Sequence, residues 1–111
     1  EVWGSGRPRR EFLFAADAAD AMVFLMKGYS GDEHVNVGTG VEVTIRELAE
    51  TAAQVIGFDG EIVFDSSKPD GTPRKLLDVS TLAGLGWTAK TDLREGIRLS
   101  YDWYLENKAP R

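Results

Sequence analysis

The sequence has no cysteine among its 111 residues. This absence excludes a disulfide scaffold, a zinc–thiolate site and a thiol nucleophile within the chain. Long apolar runs are also missing: the longest extend over a few residues, whereas a bilayer-spanning helix needs about 20. The opening residues Glu1-Val2-Trp3-Gly4 lack the basic-then-apolar pattern of a secretory signal peptide. We therefore expect a cytoplasmic chain with no metal site and no membrane partner.

Positive charge is in deficit, because 13 lysines and arginines stand against 18 aspartates and glutamates, a net charge of −5. A nucleic-acid partner is not expected, since the phosphate backbone requires a basic face. Hydrophobic residues make up 42% of the chain, enough for one compact core and too little for two. Residues 1–111 are predicted to form a single domain.

Six of the 13 basic residues are concentrated in two segments that contain glycine and proline. In chain order they are Arg7, Arg9, Arg10, Lys68, Arg74 and Lys75. Composition leaves two interpretations open. The segments are either solvated loops or the site of a small polyanion such as a pyrophosphate.

Apolar periodicity predicts an α/β fold with short strands. In the first part of the chain we expect a strand at Glu11–Phe14 and a helix that Asp17 caps and that runs to about Lys27. A second strand is predicted at His34–Val37.

The clearest local signal is the pair Thr44 and Glu47, which has the spacing of a helix-starting capping box. Gly57 is predicted to end this helix in a left-handed conformation. A strand at Glu61–Phe64 follows. Strand, helix and strand in this order predict a right-handed crossover that makes His34–Val37 and Glu61–Phe64 a parallel pair.

Two further helices are predicted near the end of the chain. Asp78 or Ser80 caps a short helical turn that ends at Gly84 or Gly86, and Thr91 caps the last helix. The apolar residues expected to be buried on that helix are Leu93, Ile97, Tyr101, Tyr104 and Leu105.

No residue of this chain is predicted to be catalytic or to bind a cofactor. Gly38-x-Gly40 lacks the third glycine of the dinucleotide fingerprint, because Val43 occupies that position, and we interpret it as a structural turn. Tyr104 and Lys108 have the spacing of a short-chain dehydrogenase dyad, but we interpret them as a core tyrosine and a surface lysine. His34, the single histidine, is predicted to be structural or exposed.

The segment Lys68–Lys75 carries two prolines, which order a loop in advance and so lower the entropic cost of binding a ligand. A stable surface turn explains its composition equally well. Trp3, beside Gly4, is either a core residue or a stacking platform.

Six segments together resemble a known family. They are Val2–Gly6, Arg10–Leu13, Asn36–Gly40, Thr44–Leu48, Phe64–Asp78 and Leu85–Trp87. In this order they resemble the C-terminal portion of the GDP-L-fucose synthases, which are extended short-chain dehydrogenases/reductases. The runs Trp-Gly-Ser-Gly and Lys-Pro-Asp-Gly-Thr-Pro-Arg-Lys are the most specific part of the resemblance.

The resemblance implies a parent enzyme that epimerises C3 and C5 of GDP-4-dehydro-6-deoxy-D-mannose and reduces C4 with NADPH to give GDP-L-fucose. This chain would be its small substrate-binding lobe, a fragment that is inactive alone. The NADP(H) site and the catalytic groups would lie in an N-terminal Rossmann domain, which is absent from this sequence.

The resemblance also implies four substrate-binding residues. Trp3 would line the nucleotide-sugar site and Arg10 would contact the diphosphate. Lys75 would add a second cation, and Asp70 a polar contact on the nucleotide side.

Two alternatives and one hypothesis accompany this interpretation. In the first alternative the chain is a lobe of another NDP-sugar epimerase or dehydratase. In the second it is a non-enzymatic α/β binding module. Assembly as a homodimer is a hypothesis.

Overall fold

The structure, a computed structural model, describes residues 1–75 and 77–108. The helices of this described part are α1 (Ala15–Gly28), α2 (Ile45–Ile56), α3 (Ser80–Leu85) and α4 (Leu93–Asn107). Its strands, each of two residues, are β1 (Val2–Trp3), β2 (Arg9–Arg10), β3 (Val43–Thr44), β4 (Phe64–Asp65) and β5 (Arg74–Lys75).

The strands form two small sheets. In the first, β1 pairs with β4 in parallel. In the second, β2 is the central strand and lies antiparallel to β3 and parallel to β5. The predicted α/β class, with short parallel strands and packed helices, is confirmed.

The predicted parallel pair is wrong. Residues 34–37 form no strand, and β4 pairs with β1 instead, where the N–H of Val2 donates to the carbonyl of Val63 at 2.8 Å. Both valines of the predicted strand pack against the core. Apolar alternation therefore identified a half-buried segment, but not its hydrogen-bond partner.

The strand predicted at Glu11–Phe14 is also displaced. Regular pairing occurs just before it, at β2, where the N–H of Arg9 donates to the carbonyl of Pro73 at 2.9 Å. Leu13 packs against the core, and Phe14 is the residue from which α1 begins. The segment leads from the sheet into the helix.

Asp17 has a different role from the predicted helix cap. It lies in the first turn of α1 and is only 7% exposed. Its carboxylate accepts hydrogen bonds from the N–H groups of Lys90 and Thr91, at 3.3 and 2.9 Å, and from the Thr91 hydroxyl at 3.2 Å. Asp17 thus fastens the segment before α4 to the start of α1.

The fully buried core is small and lies between α1 and α3. Ala21, Leu82 and Trp87 are each no more than 5% exposed. The indole N–H of Trp87 donates to Asp20 Oδ2 at 2.9 Å, so its polar atom is satisfied at the edge of the core. The partly buried residues around it are Leu13, Phe24, Leu25, Val35, Val37 and Ala89.

The capping box is confirmed. The N–H of Glu47 donates to the Thr44 hydroxyl at 3.0 Å, and the Glu47 carboxylate accepts from the N–H of Thr44 at 3.2 Å. Gly57, at φ 76°, ends α2 in the left-handed region, as predicted. The apolar face of α2 is half-buried, and α2 packs against α4.

The cap of α4 is Asp92, one residue after the predicted Thr91. Asp92 accepts from the N–H of Glu95 at 2.8 Å. The Thr91 hydroxyl instead donates to the carboxylate of Asp17 on α1. Tyr104 and Leu105 are 45% and 49% exposed, so their predicted burial is wrong.

Gly86 ends the short helix α3 at φ 108°, one of the two predicted stops. The predicted starting residues only flank the true N-cap, Val79. Asp78 accepts from the N–H of Ser80 at 2.9 Å, and this bond lowers the pKa of the Asp78 carboxyl. Across residues 1–75 and 77–108, no helix has both the length and the apolarity to cross a bilayer.

Replacing Asp17 with alanine should destabilise the chain by about 1–3 kcal/mol, because the part-buried hydrogen bonds from the N–H groups of Lys90 and Thr91 are lost. Asp17→Asn, which keeps one acceptor oxygen, should lose less. Urea unfolding followed by circular dichroism measures both losses. The control is Glu50→Ala, at an exposed position of α2. A loss for Asp17→Ala no larger than the control's would contradict the fastening role.

Candidate functional site

The two basic segments lie side by side in the second sheet. Strands β2 and β5 run parallel, with Arg9 opposite Arg74 and Arg10 opposite Lys75. Like charges directly opposite each other repel, so such a pairing requires compensation. Because side chains alternate between faces along a strand, the four cations divide into two pairs, one on each face.

Glu42 compensates the first pair. Its carboxylate accepts from Arg74 Nε at 2.8 Å and from Arg9 Nη1 at 3.3 Å. The Glu42 side chain is only 12% exposed, whereas both arginine side chains are more than half exposed. The hydrogen bond from Arg74, with a smaller contribution from Arg9, holds the pKa of Glu42 below its usual value.

The second pair, Arg10 and Lys75, has no such compensation. Within the described residues neither side chain forms an ion pair, and Arg10 Nη1 donates to the carbonyl of Arg9 at 2.7 Å. An open cleft of about 580 Å³ lies beside them, lined by Arg10, Glu11, Arg74, Lys75 and Leu77. A half-buried arginine and an exposed lysine at opposite positions of paired strands can bind a doubly charged anion, such as a diphosphate.

Asp70 connects the second basic segment to the glycine-rich turn near the N-terminus. Its Oδ1 accepts from the N–H of Ser5 at 2.8 Å and its Oδ2 from the Ser5 hydroxyl at 2.7 Å. These two bonds, the backbone one first, lower the pKa of Asp70. At the next residue, Gly71, a Cβ atom would lie 3.1 Å from Arg10 Nη2, so the loop passes close to the uncompensated guanidinium.

Trp3 lies at the far end of this arrangement. Its side chain is 69% exposed, so it is not a core residue. The ammonium of Lys68 is 5.1 Å from the centroid of the Trp3 ring, within the range of a cation–π contact. Contacts thus link β1 to the 68–71 loop and that loop to β2, which pairs with β5. The four predicted binding residues lie on these neighbouring segments.

The Gly38–Gly40 turn holds a carboxylate of the chain itself. Glu11 Oε2 accepts from the N–H of Gly40 at 3.2 Å, and a Cβ atom at Gly38 would lie 2.0 Å from Glu11 Oε1. The glycines are needed because the glutamate packs directly on the backbone. The interpretation as a structural turn is supported by this contact.

His34 and Tyr104, which were rejected as catalytic, are both exposed. His34 is exposed, in agreement with one of its two predicted roles. Tyr104 is 45% exposed on α4, so the prediction of a core tyrosine is wrong.

Glu11 and Glu42 were missed by sequence reasoning. Glu42 is separated from both arginines by more than 30 positions, and nothing local marks it as their partner. The available signal was the position of Glu42 directly before β3, the strand that pairs with β2 and its two arginines.

The chain is similar to enzymes that act on nucleotide sugars. The family model described as "NAD dependent epimerase/dehydratase family" matches residues 1–38. GDP-L-fucose synthase 1 from Arabidopsis thaliana is 61% identical over 110 residues, which cover 99% of this chain and 34% of that protein. GDP-L-fucose synthase from Escherichia coli is 51% identical, over 96% of this chain and 36% of that protein.

A solved structure agrees with these sequence matches. A GDP-L-fucose synthetase from Naegleria fowleri bound to NADP superposes with a TM-score of 0.90 at 33% identity, covering 96% of this chain and 34% of that protein. The resemblance to the GDP-L-fucose synthases predicted from the sequence is confirmed. This chain spans about a third of the length of the relatives it matches.

The depressed pKa of Glu42 predicts an acid-sensitive contribution to stability. The ionised form contributes fully above the ordinary pKa of glutamate, and the contribution is lost as the pH falls through the depressed value. Glu42→Gln should therefore be less stable than the parent at pH 7, and this difference should shrink in strong acid. Urea unfolding at several pH values measures it.

Glu50→Gln provides the matched control, because Glu50 is exposed on α2. Its effect on stability over the same pH range is the baseline against which the effect of Glu42→Gln is measured. An effect of Glu42→Gln that stays constant from pH 7 to strong acid would contradict the ionic role of Glu42.

Proposed function

We propose that this chain, similar over almost its whole length to GDP-L-fucose synthases, is the GDP-sugar-binding lobe of a longer enzyme. The observation that carries the proposal is the register of β2 and β5, which brings Arg10 and Lys75 together on one face. Glu42 neutralises the cations of the other face. A diphosphate would complement these two cations, Arg10 and Lys75, which form no ion pair within the described residues.

Trp3 supports the nucleotide part of this proposal. An exposed indole beside a glycine turn offers a flat apolar surface to a nucleobase or sugar. The predicted polar contact of Asp70 on the nucleotide side stays a prediction, since Ser5 already uses both of its carboxylate oxygens.

The proposed reaction of the longer enzyme is epimerisation at C3 and C5 of GDP-4-dehydro-6-deoxy-D-mannose, followed by reduction at C4 to give GDP-L-fucose. In this proposal NADP(H) binds in an N-terminal Rossmann domain outside this chain, and the catalytic groups belong to that domain. The enzyme is proposed to be cytoplasmic. This chain contributes substrate binding and positioning. Alone, it has no turnover.

Exposed apolar side chains support the proposal that further protein covers this lobe. Met22 and Met26 on α1 are 59% and 84% exposed, and Trp103 on α4 is 55% exposed. Met22 and Met26 are four positions apart and so share one face of α1, and neighbouring exposed apolar side chains are typical of an interface. A homodimer remains a hypothesis, which light scattering of the longer protein tests.

Another NDP-sugar epimerase or dehydratase is the second candidate. The family model that matches residues 1–38 carries this broader description. Titration with GDP and with UDP distinguishes the two, because a guanine-specific site should prefer GDP. A non-enzymatic module with solvated loops should bind neither.

Arg10→Ala should weaken GDP binding about ten- to a hundredfold, since it removes a charged hydrogen-bonding group worth about 1.5–3 kcal/mol. Isothermal titration of the chain at low and moderate salt measures it. In the longer enzyme the same change should mainly raise KM for the GDP-sugar.

The matched control is Arg9→Ala, the same substitution on the opposite face, where Glu42 binds the guanidinium. It should change GDP affinity much less than Arg10→Ala. Equal losses in the two variants, or binding that ignores salt, would contradict a diphosphate site on the Arg10–Lys75 face.

A further inference from the structure

Asp70 and Ser5 join two segments that are 65 positions apart in the chain. Both oxygens of the carboxylate take part, one with the backbone N–H and one with the hydroxyl of Ser5. Charged acceptors make hydrogen bonds about twice as strong as neutral ones. The bridge is therefore a fixed point between the glycine-rich turn and the 68–71 loop.

A second contact joins the same two segments beside this bridge. Two residues before Ser5 lies Trp3, and two residues before Asp70 lies Lys68, whose ammonium is 5.1 Å from the indole centroid. A third contact is made by Gly4, between Trp3 and Ser5: its N–H donates to the carbonyl of Asp65, in β4, at 2.8 Å. The Asp70–Ser5 bridge, the cation–π contact and the backbone bond all join residues 3–5 to residues 65–70.

Gly4 has a conformation and a position that this arrangement requires. Its φ of 92° lies in the region that favours glycine, and a Cβ atom would lie 2.3 Å from Asp70 Oδ1. The carboxylate can reach Ser5 because residue 4 has no side chain. Glycine at this position is thus explained by the bridge.

We infer that Asp70 is a positioning residue, which holds the 68–71 loop against Ser5 and so keeps the Lys68 ammonium over the Trp3 ring. The result is an ordered aromatic and cationic surface at one end of the site. This role differs from a direct contact between Asp70 and a ligand. Its use in nucleotide binding rests on the proposed function, whereas the positioning itself does not.

Nuclear magnetic resonance of the ¹⁵N-labelled chain tests the positioning without any ligand. The three tryptophans give three indole signals, and loss of one signal in Trp3→Phe assigns that of Trp3. Lys68→Ala should shift the Trp3 signal, because the cation is removed from the ring. Asp70→Ala should also shift it, although the indole N–H donates to Glu1 Oε1, at 2.8 Å, and not to Asp70.

The double variant Asp70→Ala/Lys68→Ala makes the test decisive. If Asp70 acts by holding Lys68 in place, removing Lys68 should add little to the shift in the Asp70→Ala background. Ser5→Ala, which removes one of the two hydrogen bonds, should give an intermediate shift. Unchanged signals of buried Trp87 and of Trp103 show that each variant is folded.

Two results would overturn the inference. One is a Trp3 signal that stays at its original position in Asp70→Ala. The other is an effect of Lys68→Ala that is equally large with and without Asp70. Asp59→Ala, at an exposed position outside the helices and strands, should leave the Trp3 signal unmoved.

Titration with GDP then tests the use of this surface. Asp70→Ala should weaken binding about two- to fivefold, the size of an exposed cation–π contact, and should retain the salt dependence provided by Arg10 and Lys75. If the parent chain and the longer protein both fail to bind GDP, the proposed function fails while the indole shifts still decide the positioning role. If GDP binds but the double variant shows no coupling, the positioning role alone is wrong.

Discussion

The compensation of like charges by Glu42 is the interaction on which the candidate site depends. Strands β2 and β5 place two cations opposite two others, and this pairing alone would be repulsive. One carboxylate, 12% exposed and bound to Arg9 and Arg74, removes the repulsion on one face. Within the described residues the cations of the other face, Arg10 and Lys75, form no ion pair, which supports the proposed diphosphate site. The same strand register therefore creates both the need for Glu42 and the proposed site.

Two glycine-containing turns are organised by carboxylates of the chain itself. Asp70 bonds to the turn that contains Gly4, and Glu11 packs on the turn that contains Gly38. Glycine turns of this kind attract anions because their N–H groups are accessible. In this chain acidic side chains take those positions, which orders the loops around the cleft. The N–H groups of Ser5 and Gly40 therefore already have acidic partners within the protein.

Local signals predicted the helices well. The Thr44–Glu47 capping box and the Gly57 stop are formed as expected, because their hydrogen bonds join residues close in sequence. Predictions failed where the partner is remote. Asp17 has the sequence of a helix cap, but it binds the segment at Lys90 and Thr91 instead. Strand pairing failed for the same reason, since two-residue strands carry too little pattern to identify a partner.

The sequence by itself determined the α/β class, the two basic segments and the family resemblance, because composition, capping and motifs are properties of neighbouring residues. The four binding residues that the resemblance implies stay a prediction. The sequence also determined that Gly38-x-Gly40 lacks the dinucleotide fingerprint. Only the tertiary structure decided that Arg10 meets Lys75, that Glu42 neutralises the opposite pair, and that Asp70 reaches Ser5. Those relations depend on strand register and loop contacts between residues more than 30 positions apart. Such contacts form only when the whole chain packs, so no local pattern encodes them.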